Sequence, residues 1–193
     1  LTKVNNIKVS GLDDRNNLEL MNNLNFLEIN NIFFLNKNKI SEIINSNSLI
    51  EKYSVFKNYP STLNITIDKT KFLAQLRRNG NNLFLGSNGK LIKTKNLNEK
   101  IPFIFGNFKN KNFFELKKAI DETNFNYNEI KNLFFFQSGR WDIETIDGVL
   151  IRLPRSEVKN SLELLINFLV LNKKKMINSI DLRQYNQIII NEW

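Results

Sequence analysis

Residues 49–69, LIEKYSVFKNYPSTLNITIDK, constrain the fold of this chain most tightly. In the second half Leu63, Ile65 and Ile67 alternate with Thr62, Asn64, Thr66 and Asp68. A period of two with one apolar side is the pattern of a strand that buries one face. The first half carries the β-formers Tyr53, Val55 and Phe56 between charged residues. Asn58-Tyr59-Pro60-Ser61 separates the halves. Pro60 fixes its own φ and biases Tyr59 towards extended backbone, so this is a turn. The segment is predicted to be a β-hairpin with one apolar face. A hairpin alone is marginal in water, so something must cover it.

The preceding residues supply the cover. Ile7 and Val9 alternate in a short strand, Val4 to Gly11. Asp13 and Asp14 are placed to cap a helix around Leu18, Met21 and Leu24. Residues 25–35 read as a connector with Phe33 and Leu35 buried. A second helix is expected from Lys37 to Asn45, with Ile40, Ile43 and Ile44 on one face. The order β-α-α-β-β places two helices on one face of a three-stranded sheet, over residues 1–70.

A second unit is expected over residues 71–193. Phe72, Ala74 and Leu76 alternate, and residues 77–82 read as a polar loop. Residues 83–92, LFLGSNGKLI, read as a hairpin turning at Asn88-Gly89. The GxxGK of Gly86 to Lys90 is too short for a phosphate loop and has strands on both sides. Ile101 to Gly106 is a short apolar segment. Phe113, Leu116, Lys117 and Ile120 suggest a helix. Leu133 to Gln137, Trp141 to Thr145 and Val149 to Leu153 read as consecutive strands, with a tip at Asp147-Gly148. A long helix follows, Ser156 to Leu171, with Leu162, Leu165, Ile166 and Leu169 inward and Lys173 to Lys175 at its dipole-favoured end. Ile180 to Arg183 and Gln187 to Ile190 complete the strands. The fold class is α+β, with the second unit mostly antiparallel and covered by helices.

Composition removes much chemistry. The 193 residues contain neither Cys nor His. Thiolate metal sites, disulfides, cysteine nucleophiles and imidazole acid–base work are therefore excluded. The net charge of +9 admits nucleic acid or anionic lipid as a partner. The basic residues are scattered apart from Arg77-Arg78 and Lys173 to Lys175, and accompany the Asn, Ile and Phe of AT-rich codons. A solvated lysine-rich surface without nucleic-acid binding is the simpler expectation. Asp142 and Glu144 share a strand face and could act as paired carboxylates. As two acids on a solvent face opposite Arg152 they need no such role. Asp121-Glu122 is a weak metal pair and more simply a helix end. No stretch is long and apolar enough to span a bilayer. The start at Leu1 suggests a fragment with a segment removed upstream. The tail QIIINEW is apolar on both faces, with Ile188 and Ile190 on one side and Ile189 on the other. Such a strand is either central in a sheet or an edge open to a partner strand.

The hairpin Tyr59-Pro60-Ser61-Thr62-Leu63, with Leu49-Ile50 and Val55 before it and Ile65 and Ile67 after, resembles the POTRA domain of the FtsQ/DivIB family of bacterial division proteins. The Val9 to Leu12 segment VSGL is similar to that family's first strand. Ser87 to Ile92, Pro102 to Gly106, Trp141 with Asp147-Gly148 and Leu153-Pro154, and Ile180 to Arg183 resemble successive features of its β-domain, in the same order. The resemblance implies a non-enzymatic, cofactor-free scaffold. It would be held in the bacterial inner membrane by one upstream helix, with this chain on the periplasmic side at the septum. It implies recruitment of FtsB and FtsL by strand addition at the β-domain edge, and other divisome contacts through the POTRA domain. By motif, Arg183 and Arg155 would receive acidic groups from FtsB. Tyr185, Gln187, Ile188, Ile190 and Trp193 would complete the partner surface, and Tyr59, Pro60, Ser61 and Leu63 mark the POTRA hairpin. The alternative is a POTRA-bearing transport or outer-membrane assembly component that chaperones passenger chains.

Overall fold

The computed structural model describes residues 3–29, 31–93, 100–172 and 177–192. Two compact units divide the chain. Residues 1–72 with 85–92 form one, and residues 73–84 with 93–193 form the other.

In the first unit, β1 (Asn6–Ser10) leads to α1 (Asp14–Leu24), α2 (Lys37–Ser46), β2 (Ile50–Asn58) and β3 (Thr62–Lys69). Asp13 caps α1 by accepting from the Asn16 amide at 3.1 Å. Asn36 caps α2, accepting from the amides of Asn38 and Lys39. The sheet order is β1-β3-β2, with β1 parallel and β2 antiparallel to the central strand. Leu63, Ile65 and Ile67 are buried as their alternation requires, against Leu20 and Leu24 of α1 and Ile40 and Ile44 of α2. This is the β-α-α-β-β unit expected from the sequence.

The connector departs from expectation. Residues 32–34 form a single 3-10 turn that swings Ile32 inward, to full burial, and leaves Phe33 55% exposed. The expected burial of Phe33 is thus passed to its neighbour, because a tight turn changes the facing of adjacent side chains. Gly11 follows β1 with φ +109°, and a Cβ there would lie 1.9 Å from the Ile67 carbonyl oxygen. Only glycine lets the two backbones approach so closely.

Residues 85–92 belong with this unit through polar ties. Asn88 Nδ2 donates to the carbonyls of Ser48 and Ile50, both at 2.9 Å. Ser87 Oγ donates to Glu51 at 2.7 Å, and buried Thr70 donates to the same carboxylate at 3.0 Å. Lys90 Nζ donates to the Asn45 carbonyl at 2.6 Å. The GxxGK segment is therefore a hairpin tip that satisfies the end of α2 and the start of β2.

The later strands are β4 (Phe72–Arg78), β5 (Asn81–Gly86), β6 (Leu91–Ile92), β7 (Phe103–Phe105), β8 (Ile130–Phe135), β9 (Trp141–Thr145), β10 (Leu150–Arg152), β11 (Ile177–Asp181) and β12 (Ile189–Glu192), with helices α3 (Asn110–Asp121) and α4 (Val158–Leu171). Their sheet order is β12-β11-β10-β9-β8-β7-β4-β5-β6. The loop expected over residues 77–82 shrinks to a two-residue turn at Asn79-Gly80, because the strands continue through Arg78 and resume at Asn81.

The large sheet is mostly antiparallel but has parallel pairs at β4/β7, β7/β8 and β10/β11. Helix α3 links β7 to β8, and α4 links β10 to β11, because parallel neighbours need a long crossover. Gly106 ends β7 as Gly11 ends β1: φ is +101°, and a Cβ would lie 2.2 Å from the Phe135 carbonyl oxygen. Ile104, Leu133, Ile143, Ile151 and Ile180 stand in register across five strands, and all are buried. A face this dry needs an apolar cover. The buried sides of α3 (Phe113, Leu116, Ile120) and α4 (Leu162, Leu165) carry surface of that kind. Helix α4 begins two residues later than expected, and Leu169 is exposed rather than inward. Lys173 to Lys175 lie outside the described residues.

Candidate functional site

The site expected around the chain end is built on β11 and β12. Strand β12 is the last in the sheet order, and among the described residues β11 is its hydrogen-bonded neighbour. The expectation left open whether this strand was central or at an edge, and it lies at an edge. It begins at Ile189, two residues beyond the predicted start at Gln187. Ile190 pairs with Ile180 on the buried side and is half-buried, while Ile189 pairs with Asp181 on the opposite side and is 51% exposed. Exposed Gln187 and half-buried Ile188 are the approach to the strand. Tyr185 stands in the preceding turn, 79% exposed, beside Asn186 with φ +53°. A shallow cleft by this turn is lined by Glu157, Asn160, Leu164, Leu182, Tyr185 and Gln187. Trp193 lies outside the described residues.

One row of side chains crosses the sheet to this edge. Phe105, Phe134, Asp142, Arg152, Asp181 and Ile189 are successive register partners, and cross-strand partners share a face. Phe105 and Phe134 stack at 5.1 Å. Charges alternate beyond them. Arg140 Nε lies 3.2 Å from Asp142, and Arg152 lies 4.0 Å from Asp181. Arg183 Nε donates to both Asp181 oxygens, at 2.8 and 2.9 Å, and the Arg183 amide adds a bond of 3.0 Å.

These partners tune the two acids oppositely. The Arg183 hydrogen bonds hold the Asp181 carboxyl below its ordinary range, with burial opposing and the charge of Arg152 assisting. Burial pushes Asp142 up, although Arg140, Arg152 and Arg183 pull it down. The expectation of a solvent-facing Asp142 is corrected: it is 4% exposed, because both neighbouring strands and Arg140 cover it. Glu144, half-buried, is held below its ordinary range chiefly by the Asn132 amide at 2.8 Å. These acids are tied into sheet contacts rather than facing one another across a cleft. Asp121 and Glu122 are likewise engaged, with Lys117 and with Lys118 and Lys159 respectively.

The two expected arginines differ in support. Arg183 is fastened to its own Asp181. Exposed Arg155 runs past the β8–β9 turn, where a Cβ at Gly139 would meet its Nε at 3.4 Å. The expected placement of Arg152 opposite Asp142 holds in the register, whereas Arg140 and Asp181 were missed as parts of the charged row. Their signal was the alternation of sign across three strands, visible only once the register is known.

At the first unit's hairpin, Tyr59 is 59% exposed and stacks on Phe33 at 5.0 Å. The Tyr59-Pro60 peptide is cis. The Ser61 carbonyl accepts from the amides of Asn5 and Asn6, which ties the turn to the start of β1. Leu63, expected with this hairpin, is a fully buried core residue and anchors it from inside.

Among the described residues, no helix is long and apolar enough to cross a membrane. No curated protein matches the chain. Two family models do. Residues 2–69 match the FtsQ-type POTRA domain, and residues 74–183 match the C-terminal domain of the cell division protein FtsQ/DivIB. With the helix-covered β1-β3-β2 sheet in the first matched region and the charged row in the second, the chain belongs to the FtsQ/DivIB family of cell-division proteins.

Proposed function

We propose that this chain is a non-enzymatic divisome scaffold that recruits FtsB and FtsL by strand addition at β12. The observation that carries this reading is the position of β12 at the end of the sheet order, with β11 as its neighbour among the described residues. An edge of this kind offers directional hydrogen bonds to an incoming strand. The edge lies beyond the last residue of the family match, so its role rests on geometry.

Specificity would come from charge. Arg183 and Arg155 would meet acidic groups of FtsB, with Arg183 sharing its guanidinium between the partner and Asp181. Exposed Ile189 and Tyr185 would supply apolar contact, with Gln187, Ile188, Ile190 and Trp193 extending the pairing. The POTRA unit would engage other divisome proteins. The whole protein would be held by an upstream membrane helix, with this chain on the periplasmic side at the septum.

Isothermal titration with a peptide from the periplasmic end of the same organism's FtsB tests this. Binding at micromolar strength or better, lost on deleting residues 188–193, is expected. Arg183→Glu should weaken it by about ten- to a hundredfold in a chain that circular dichroism shows still folded, with a somewhat lower melting temperature because Asp181 loses its partner. Undiminished affinity in a folded Arg183→Glu chain would remove the arginine from the site. Full-strength binding after the deletion would remove the strand.

A further inference from the structure

We infer that the rim of the first unit formed by Phe33, Phe34, Tyr59 and Lys57 rests on the surface of an anionic lipid bilayer. The rim is apolar and exposed. Phe34 is 82%, Tyr59 59% and Phe33 55% exposed, and Phe33 and Tyr59 stack on each other rather than on the core. Large aromatics clustered in water mark a contact surface. They are held in place from behind. The Asn31 side chain accepts from the Phe33 amide at 2.9 Å, and the Ser61 carbonyl fixes the Tyr59 turn to β1.

The surrounding charge selects the occupant. Lys57 Nζ reaches the Phe33 carbonyl at 3.4 Å, so a cation is built into the aromatic cluster. Lys3 pairs through its backbone with Asn31. The segments that supply the rim, residues 31–37 and 57–61, contain Lys37 and Lys57 and neither Asp nor Glu, the nearest carboxylates in sequence being Glu28, Glu42, Glu51 and Asp68. Aromatic rings beside lysines, with no carboxylate in the contributing segments, suit a boundary where rings enter the acyl region and ammonium groups meet phosphates.

Flotation of the whole chain with vesicles tests this, using phosphatidylglycerol mixed into phosphatidylethanolamine against phosphatidylcholine alone. Association with the anionic vesicles and little with the neutral ones is expected. The triple variant Phe33→Ser, Phe34→Ser, Tyr59→Ser keeps the net charge and should bind about tenfold more weakly or worse, with its fold checked by circular dichroism. The single variant Phe34→Trp is the second readout, since position 34 is solvent-facing and tolerant. Its extra fluorescence, relative to the unsubstituted chain, should shift to the blue on anionic vesicles. Equal flotation of the triple variant overturns the proposal and attributes binding to diffuse charge. An unshifted Phe34→Trp emission also overturns it, as does indifference of all variants to vesicles, which would leave the rim to a protein.

Discussion

Strands β3 and β12 both carry isoleucines on the side that faces the core, β3 in strict alternation over eight residues and β12 over four with a second isoleucine facing outward, and they differ in consequence. Strand β3 has a neighbour on each side, and its inward residues Leu63, Ile65 and Ile67 are at most 3% exposed. Strand β12 has one neighbour among the described residues, and its outward Ile189 is half in water. An apolar strand can therefore serve two ends. Where both backbone edges are paired, it contributes stability. Where the strand stands last in the sheet order, it leaves an apolar side chain in water. Position in the sheet, not composition of the strand, decides which.

Ile65→Ala should destabilise the first unit by about 2–5 kcal/mol, because a fully buried branched side chain leaves a cavity. Ile190→Ala in β12 should cost only about 1 kcal/mol, since that side chain is half-buried. Equal losses in denaturant titrations would erase the distinction. Gly11→Ala comes next, at about 2–3 kcal/mol of strain, for its Cβ would run into the Ile67 carbonyl of β3. A wild-type melting temperature would show that β1 can retreat from β3. Ile189→Asn should change stability by no more than about 0.5 kcal/mol yet weaken the FtsB peptide by about tenfold. Loss of stability there would make β12 a structural strand.

The smallest effect is on pH dependence. Asp181 has a lowered folded value, so its ionised form stabilises the fold above the ordinary carboxylate range, and that support is lost as pH falls through the lowered value. Asp142 has a raised value and the opposite sign. Its contribution is greatest below the ordinary range and declines as pH rises through the raised value. Asp181→Asn should therefore flatten the loss of stability between neutral pH and about pH 3, read by denaturation at each pH. An unchanged slope would mean that Arg183 contributes nothing to holding the edge row.

Much of the first unit was legible because its signals are local. The Leu63-Ile65-Ile67 alternation needs no knowledge of the rest of the chain, and Asp13 caps the helix that follows it. The misreading of Phe33 came from one 3-10 turn, a feature too short to have a period. The parallel pairs at β7/β8 and β10/β11 were hidden for a similar reason: strands of three residues carry no alternation to read. Burial of Asp142 depends on strands before and after its own, so its neighbours in the sequence gave no warning. Arg183 and Arg155 entered through a family resemblance. The row that holds Arg183 emerged only when Arg152 and Asp181 were found side by side.

The ties made by Asn88, Ser87 and Lys90 bear on how this gene can be dissected. The chain leaves the first unit after Phe72 and returns to it at Leu85. A fragment ending at residue 70 would keep every helix and strand of the β1-β3-β2 sheet, yet strip the amide from the Ser48 and Ile50 carbonyls and the hydroxyl of Ser87 from Glu51. Such a fragment would report the behaviour of a frayed end. A single scissile bond cannot free one unit intact from the other, so clean excision needs the returning hairpin to travel with the amino-terminal piece.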